Sequence, residues 1–298
     1  MKKILLLISL FIISSIHIKA ETSDRKLFDD LKQTVVFLGH LKQEIKDKKE
    51  YIVPVPTATG FLVGIDNIFH LITAKHVIAN KVNNKYKIND ENMHVFFNDK
   101  NEKLKIRSLS EIKNKYKVDW IFHADPNIDI AIIPFMIDPK KDNLKVIPED
   151  IFIDDINKIS ELYGVFFLSY QPGIKLRNKI QPIFRSGIIS SIQSNDILYI
   201  DAAAFPGNSG SPVFIKPSAI RFDKGSIRIG SDPIGGRFIG VISSYITYSD
   251  VAISSQTGRP RIVFEENTGI SKLITINSIK ELIASKEFQK QLQKLKKK

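Results

Sequence analysis

One serine stands in a turn-forming segment whose residue types suit nucleophilic catalysis. Ser209 lies in the segment 205–212 (FPGNSGSP), with a glycine on either side within two residues and a proline towards each end. A serine in a glycine-rich turn can expose its hydroxyl while the neighbouring backbone N–H groups converge on one point. That is the geometry of a nucleophile with its oxyanion hole. The same residue types also form ordinary surface turns, so this segment alone leaves both interpretations open.

A serine nucleophile needs a general base, for which histidine is the usual side chain. All six histidines precede Ser209, and His76 follows the apolar stretch 71–74 (LITA). That position would present an imidazole at the rim of a core, next to solvent. A single histidine there can equally be a satisfied polar residue. The other five histidines carry no functional argument: His17, His40, His70, His94 and His123.

The third member of such a site is a carboxylate that orients the imidazole and stabilises its protonated form. Asp129 lies within the apolar stretch 127–133 (NIDIAII). A carboxylate among apolar residues is costly to bury unless a nearby group accepts it as an ion. Asp125 belongs to a polar Asp-Pro turn and is expected to face water. The candidates therefore occur in the order His76, Asp129, Ser209.

The length and composition predict one or two domains, and the spacing of short apolar segments predicts β-structure. The 298 residues are 43% hydrophobic and include 15 Gly, 13 Pro and no Cys, enough for a sizeable core. Short β-type segments recur between turn signals, which is typical of barrels and sandwiches. The polar segment 138–160 is interpreted as a linker. His76 and Asp129 precede it and Ser209 follows it, so a shared site belongs in the cleft between two halves.

The expected secondary structure follows from the apolar patterning. The first half predicts a helix within 22–33, a strand at 34–38, a loop at 42–50, a hairpin from 58–64 to 68–74, and strands at 93–97 and 128–135. The second half predicts strands at 163–169, 183–192, 197–200, 213–215, 238–244, 261–264 and 270–276. Ser278 and Glu281 have the spacing of a capping box, and apolar residues continue at helical spacing to Leu295.

The two ends of the chain differ from its body. Lys2 and Lys3 precede an apolar run from Ile4 to Ile16, and Ala20 provides a small residue, which resembles a secretory signal peptide. Export to a periplasm or to the cell exterior is expected, with an uncleaved anchor as the alternative. The formal net charge is +12, and lysines crowd residues 286–298. They could associate weakly with anionic surfaces, but without interleaved aromatics nucleic-acid binding is not expected.

The sequence contains no motif for another kind of catalysis. The chain has no Cys, no His-Glu-x-x-His helix and no phosphate-binding P-loop, so neither a metal nor a cofactor is expected. The oligomeric state is not predicted.

Three motifs in order carry a family resemblance. Residues 73–77 (TAKHV), 129–131 (DIA) and 207–212 (GNSGSP) resemble the motifs of trypsin-like serine proteases. The segments 124–131 and 201–210 are similar to HtrA/DegP-type protease domains. The segments 75–77 and 208–214 are as similar to glutamyl endopeptidases of the V8 group. The resemblance covers about residues 34–285 and leaves no room for a following PDZ domain.

The resemblance implies an all-β fold of two six-stranded β-barrels of chymotrypsin type with a C-terminal α-helix. The implied organisation is a signal peptide at 1–20, an N-terminal barrel at 21–140, a linker at 141–160, a C-terminal barrel at 161–276, and a helix with a basic tail at 277–298. The implied reaction is hydrolysis of peptide bonds in a polypeptide substrate through an acyl-enzyme. The alternative is a catalytically inactive protein of the same fold that binds peptides or partners.

The resemblance also assigns roles. It implies that His76 is the general base, Asp129 orients it, and Ser209 is the nucleophile. The N–H groups of Gly207 and Ser209 would form the oxyanion hole. Asn208 stands where pancreatic-type enzymes carry an Asp that pairs with a new N-terminus, which argues against that activation switch here.

Substrate contacts are implied for the strand 238–244, which would pair with the substrate backbone. Ala203 stands where trypsin-type enzymes carry an Asp that binds a basic substrate side chain. Ile242 stands where the V8 group carries a His that binds a glutamyl side chain. Neither residue offers such a group here. A small or medium apolar side chain before the scissile bond is therefore favoured. The implied substrate-binding residues are Ala203, Phe205, Val241, Ile242 and Ser243.

Overall fold

The computed structural model describes residues 26–82, 85–174, 176, 178–223 and 226–297. The expected signal peptide therefore lies outside the described residues. The first half contains α1 (26–32), β1 (Val35–Lys46), β2 (Lys49–Ile65), β3 (Ile68–Thr73), α2 (Lys75–Ile78), β4 (Ala79–Val82), β5 (Lys85–Ile88), β6 (His94–Asn98), β7 (Leu104–Ser108), α3 (Leu109–Tyr116), β8 (Ile121–Phe122), β9 (Ala131–Pro134) and β10 (Ile147–Pro148).

The second half begins with two short 3-10 turns at Glu149–Ile151 and Ile156–Lys158. Its strands and helices are β11 (Gly164–Ser169), β12 (Ile183–Ile192), β13 (Ile197–Asp201), β14 (Pro212–Ile215), β15 (Ile220–Asp223), β16 (Ser226–Ile229), β17 (Phe238–Ile253), β18 (Pro260–Thr275), α4 (Ile276–Ala284) and α5 (Lys286–Lys296).

Two sheet systems make up the protein, and the expected all-β fold is confirmed. In the C-terminal half β11-β12-β13-β18-β17-β14 close into a six-stranded barrel. In the N-terminal half the order is β7-β6-β1-β2-β3-β9-β8, with β10 added in parallel to β2. The detail differs from the expectation: the N-terminal sheet has eight strands, and two helices follow the last strand.

Two hairpins are longer than the sequence patterning predicts. The expected loop at 42–50 is instead the outer part of the β1–β2 hairpin, whose pairing runs to Lys46↔Lys49. Asp47 and Lys48 have φ angles of 51° and 58°, the conformation of a two-residue type I′ turn. Neither is the glycine that usually signals such a turn. In the second hairpin, the strands expected at 261–264 and 270–276 form one continuous strand, β18, paired with β17 along its length.

The C-terminal helices begin at different residues from those expected. Thr275, not Ser278, caps α4, because its hydroxyl accepts the N–H two residues further on. Ser278 lies inside α4 and donates to Asp196. Ser285 caps α5, and the buried Phe288 of α5 stacks on the ring of His70 at 5.0 Å between centroids. Within the described ranges, no helix is long and apolar enough to cross a bilayer.

Aromatic side chains join the two sheet systems. Phe61 of β2 lies 5.3 Å from Phe238 of β17, and Phe238 lies 5.3 Å from Phe152 and 5.6 Å from Phe214, centroid to centroid. Phe152 belongs to the segment expected as a linker, so this segment packs on the C-terminal barrel as well as pairing with β2 through β10. Burial of several large rings at one contact fixes the two halves against each other.

Candidate active site

His76 stands where the N-terminal sheet meets the cleft. β3 ends at Thr73, and the short helix α2 turns the chain so that the imidazole is half-exposed. His76 Nδ1 lies 2.7 Å from Asp129 Oδ2, and the His76 backbone N–H donates to Asp129 Oδ1 at 2.9 Å. One carboxylate therefore holds both the ring and the backbone of the histidine, which fixes the orientation of the ring.

Asp129 lies two residues before β9 rather than inside a strand, as the apolar patterning had suggested. The Ser243 hydroxyl donates to Asp129 Oδ2 at 2.7 Å. Burial alone would raise the pKa of Asp129, but the hydrogen bonds from His76 and Ser243 outweigh it, so the pKa lies below its ordinary value. Burial alone would lower the pKa of His76, and the hydrogen bond and charge of Asp129 outweigh it, so that pKa is raised.

Ser209 completes the chain of contacts from the C-terminal barrel. Its Oγ lies 3.1 Å from His76 Nε2 and 3.2 Å from the carbonyl oxygen of Ser243. The structure thus brings together all three residues singled out by their types and spacing. They come from a helix, a loop of the N-terminal sheet and a loop of the barrel.

The loop before Ser209 is a tight turn with two unused donors. The Asn208 N–H donates to the Phe205 carbonyl at 2.9 Å, and Gly207 has a φ angle of 101°, as in a type II turn with Pro206 at its second position. No described residue accepts a hydrogen bond from the N–H of Gly207 or Ser209. These two donors beside the Ser209 hydroxyl suit an oxyanion.

Asn208 is buried and holds this turn without an ionic partner. Its Oδ1 accepts the Phe205 N–H at 2.9 Å, and its Nδ2 donates to the Tyr170 carbonyl at 2.5 Å. A neutral amide satisfies both positions because one of its atoms accepts and the other donates.

Thr59 of β2 ties the nucleophile loop to the N-terminal sheet. Its backbone N–H donates to the Ser209 carbonyl at 3.0 Å, and its hydroxyl donates to the Gly207 carbonyl at 2.7 Å. The same hydroxyl accepts the Tyr170 N–H at 2.9 Å. Gly210 packs directly on this contact: a Cβ there would lie 2.1 Å from the Thr59 carbonyl oxygen. Thr59 was not predicted as a site residue, because neither its type nor its spacing in the sequence marks it.

Lys75 lies in a segment that carries the family resemblance, but the sequence assigned it no role of its own. Its side chain is almost fully buried beside His76, with Nζ donating to the Pro126 carbonyl at 2.9 Å and lying 4.0 Å from the centroid of Tyr86. Burial lowers the pKa of Lys75, and the charge of Asp129 opposes this effect. The lysine anchors the loop that leads into Asp129.

Two of the expected substrate-binding residues lie beside the nucleophile loop. The Ala203 carbonyl accepts a hydrogen bond from Arg185 Nη1 at 2.9 Å, and the Arg185 guanidinium lies 4.9 Å from the ring centroid of Phe205. Phe205 is 39% exposed, so its ring is available at the surface of the cleft. Arg185 was not expected at this place.

The strand expected to pair with a substrate is open over less of its length than the sequence suggested. β14 pairs with β17 as far as Val241. The Ile242 N–H and carbonyl are paired with Ser211 and Gly210. The side chains of Val241 and Ile242 are fully buried in the barrel core. The free edge therefore begins at Ser243, not at Phe238, and the Ser243 hydroxyl is engaged by Asp129.

The arrangement can activate a hydroxyl and stabilise an oxyanion. A histidine with a raised pKa contacts the serine hydroxyl, a carboxylate lies behind it, and two unused N–H groups lie beside it. Within the parts of the chain that the structure describes, no group of three or more His, Asp or Glu residues could hold a metal ion.

The comparisons with known proteins identify the family of the chain. A family model described as "Trypsin-like peptidase domain" matches residues 58–216, more than half of the chain. The chain belongs to this family, and its fold is that of a trypsin-like serine protease. No curated protein matches the chain. Among solved structures, the HtrA-type protease AlgW with a decapeptide aligns at 14% identity and a TM-score of 0.43. That alignment covers 83% of this chain and 61% of the AlgW chain.

Proposed function

We propose that this protein is an exported serine endopeptidase that cleaves polypeptides through Ser209, His76 and Asp129. The observation that carries the proposal is the continuous contact from Asp129 Oδ2 through His76 to Ser209 Oγ, at 2.7 Å and 3.1 Å. The unused N–H groups of Gly207 and Ser209 lie beside it. Export rests on the signal-peptide pattern of residues 1–20.

The first half of the reaction forms an ester. His76 Nε2 takes the proton of the Ser209 hydroxyl as Oγ bonds to the carbonyl carbon of the scissile peptide. The negative charge moves to the carbonyl oxygen, where the N–H groups of Gly207 and Ser209 stabilise it. His76 then gives its proton to the leaving nitrogen, the C–N bond breaks, and an acyl-enzyme remains.

The second half repeats these steps with water. His76 takes a proton from water, the resulting hydroxyl bonds to the acyl carbon, and the proton returns to Ser209 Oγ as the ester bond breaks. Asp129 stays ionised in both halves and stabilises the imidazolium. Its lowered pKa and the raised pKa of His76 both favour that charge pair.

We also propose a preference for the residue before the scissile bond. The half-buried Ala203 offers no charge to a substrate side chain, which favours a small or medium apolar residue before the scissile bond.

In the C-terminal tail, Lys296 pairs with Asp66 and Lys294 donates to the Lys117 carbonyl. Those lysines already have protein partners, which weakens the tail as a site for anionic surfaces.

Hydrolysis of an unbiased peptide mixture tests the proposal. Mass spectrometry of the products should show new internal termini with the unsubstituted protein, and the rate should fall by about four to six orders of magnitude for Ser209→Ala. Ser211→Ala is the matched control, because Ser211 is a buried serine two residues away that does not contact His76. Equal hydrolysis by Ser209→Ala would contradict the proposal.

A further inference from the structure

The β17–β18 hairpin continues beyond the barrel as a two-stranded arm, defined here as residues 246–268. Every residue of β17 from 246 to 253 and every residue of β18 from 260 to 268 is exposed. Because successive side chains of a strand point to opposite faces, neither face of the arm packs on the rest of the described protein. An isolated pair of strands is only marginally stable in water, so the arm is suited to pairing with further strands.

The outer edge of β18 is open along the arm. β13 pairs with β18 only from Ile270 to Ile274, and within the described ranges no other strand pairs with that edge. The opposite edge of β18 is occupied by β17. An open strand edge presents N–H and carbonyl groups with which another strand can pair. A partner strand would therefore approach β18 from the side away from β17.

The open stretch of β18 has a pattern of side chains that is symmetric about Val263. Residues 261–265 (RIVFE) have a basic residue at one end, an acidic residue at the other and three apolar residues between them. Ile262, Val263 and Phe264 are 56%, 59% and 52% exposed. Exposed apolar side chains that are contiguous and flanked by charges mark an interaction site.

The two charges that flank this apolar stretch cannot neutralise each other within one chain. Arg261 and Glu265 are both exposed, and neither forms an ion pair among the residues that the structure describes. Four steps along a strand separate them by about 13 Å. Each charge is therefore available to a partner.

We propose that the open edge of β18 pairs with the same edge of a second copy of this chain, antiparallel and about a two-fold axis at Val263. In this register Arg261 lies opposite the partner's Glu265, and Ile262 lies opposite the partner's Phe264. The two Val263 side chains lie opposite each other. Because the interface is two-fold symmetric, the charge pair and the Ile–Phe pair each occur twice. Cross-strand pairs of both kinds are stabilising.

The neighbouring registers of β18 with itself lose this match. A shift by one residue in one direction places Arg261 opposite the partner's Phe264. A shift in the other direction places Ile262 opposite the partner's Glu265. Only the register centred on Val263 pairs every charge of the segment with an opposite charge and every apolar residue with an apolar one. The pattern of this strand therefore selects a second copy of the chain as its partner.

The proposed dimer leaves the candidate active site accessible. β17 lies between the nucleophile loop and β18, since β14 pairs with one edge of β17 and β18 with the other. Ser209 contacts β17 through the Ser243 carbonyl, not through β18. The interface goes beyond the proposed peptidase function, and its test requires no peptidase activity.

Single-cysteine variants test the register, because the chain has no cysteine of its own. In the proposed pairing the two Val263 Cα atoms lie about 4.5–5.5 Å apart, a separation that a disulfide can span. Val263→Cys should therefore form a covalent dimer in high yield under mild oxidation. Val251→Cys is the matched control, because Val251 is paired with Val263 on β17 of the same arm. Its counterpart in the second copy lies three strand spacings away, about 14 Å. Equal yields from the two variants, or no dimer from Val263→Cys, would overturn the register.

Charge reversal tests the choice of partner. Arg261→Glu and Glu265→Arg each place two pairs of like charges in the interface, so each should raise the dimer dissociation constant in sedimentation equilibrium by about tenfold or more. An equimolar mixture of these two variants restores both pairs of opposite charges and should dimerise like the unsubstituted protein. Asp250→Lys reverses an exposed charge on β17 of the same arm and should leave the dissociation constant unchanged.

Three results would contradict the proposed dimer. The first is an unsubstituted protein that remains monomeric at about 100 μM. The second is a mixture of Arg261→Glu and Glu265→Arg that dimerises no better than either variant alone. The third is an effect of Asp250→Lys as large as that of Arg261→Glu, which would assign the effect to the net charge of the arm.

Discussion

Thr59 and Gly207, from opposite sheet systems, are joined by a hydrogen bond of 2.7 Å from the threonine hydroxyl to the glycine carbonyl. The same hydroxyl accepts the N–H of Tyr170. One buried side chain on β2 therefore sets the position of the turn that carries the two unused N–H donors. A contact outside the His-Asp-Ser set therefore holds the candidate active site in place.

Replacing Thr59 with valine tests this contact. Thr59→Val keeps the shape of the side chain but leaves the Gly207 carbonyl and the Tyr170 N–H without their partner. We expect a loss of about 1–3 kcal/mol in the free energy of unfolding and a fall in kcat that exceeds any change in KM, because the oxyanion donors shift. Urea unfolding and peptide hydrolysis measure the two effects. Thr57→Val on the same strand is the control, since Thr57 is exposed and makes only a 3.4 Å contact. Equal effects at both positions would remove the special role of Thr59.

Gly210 should be intolerant of any side chain. Its φ angle is 86°, and a Cβ would lie 2.1 Å from the Thr59 carbonyl oxygen and 2.3 Å from Thr73 Oγ1. Gly210→Ala should destabilise the protein by about 3 kcal/mol or more, which combines backbone strain with overpacking. Gly258→Ala shares a positive φ of 64° but meets open space, so about 1 kcal/mol is expected there. Thermal unfolding measures both variants. The loss in Gly258→Ala reports backbone strain alone, and the additional loss in Gly210→Ala reports the steric clash.

The pH dependence of kcat/KM reports the coupling of Asp129 to His76. Catalysis needs neutral His76, so kcat/KM should rise as pH passes upward through the pKa of His76, which lies above its ordinary 6.5. In Asp129→Asn the burial of the ring is no longer outweighed, so this pKa should fall and the acid limb should move to lower pH. The value of kcat should also fall by about 10⁴-fold, since the amide favours the wrong tautomer.

Asp125→Asn is the control for that experiment, because Asp125 is exposed and does not contact the histidine. Its profile should overlay that of the unsubstituted protein. An acid limb that stays in place in Asp129→Asn would show that another group sets it.

His70 should make the fold sensitive to acid. It is buried against Phe288, and burial lowers its pKa to about 4 although a hydrogen bond with the Ile68 carbonyl opposes this. The folded protein therefore binds fewer protons than the unfolded chain, and stability should fall as pH drops from about 6.5 towards 4, by roughly 3 kcal/mol in total. Urea midpoints across this range should decline less steeply for His70→Gln. His94→Gln, at a half-buried histidine on β6, should keep the original slope. A slope unchanged in His70→Gln would assign the acid sensitivity to other groups.

The sequence singled out the three residues that the structure brings together in the candidate site, but it did not reveal the residues that hold them in place. His76, Asp129 and Ser209 could be singled out because each combines a chemically specific type with a local environment that explains it. Thr59 could not, because its role comes from a contact with Gly207 across 148 positions of the chain. Ser243 was predicted only as a substrate-binding residue. The structure adds that its hydroxyl donates to Asp129, next to a bulge of β17 between Ile242 and Ser244 that the apolar pattern does not show.

Strands marked by local apolar patterning were predicted, whereas strands set by pairing with a distant segment were missed. Short apolar segments with glycine-rich or Asp-Asn turns were predicted correctly, such as the β2–β3 hairpin with Asp66 and Asn67 at positive φ. The outer β1–β2 hairpin was missed because charged residues fill it and its pairing, not its hydrophobicity, makes it a strand. Pairing of β17 with β18 likewise extends far beyond the apolar core.

Labelling with a fluorophosphonate tests the central claim most directly. An activated serine oxygen displaces fluoride from phosphorus and leaves a stable phosphonyl ester, whose position mass spectrometry identifies. We predict a single adduct on Ser209 in the folded protein, with labelling lost in His76→Ala, which retains Ser209 but lacks the base. A folded protein that gives no adduct, or one labelled equally in His76→Ala, would contradict a working Ser209–His76 pair.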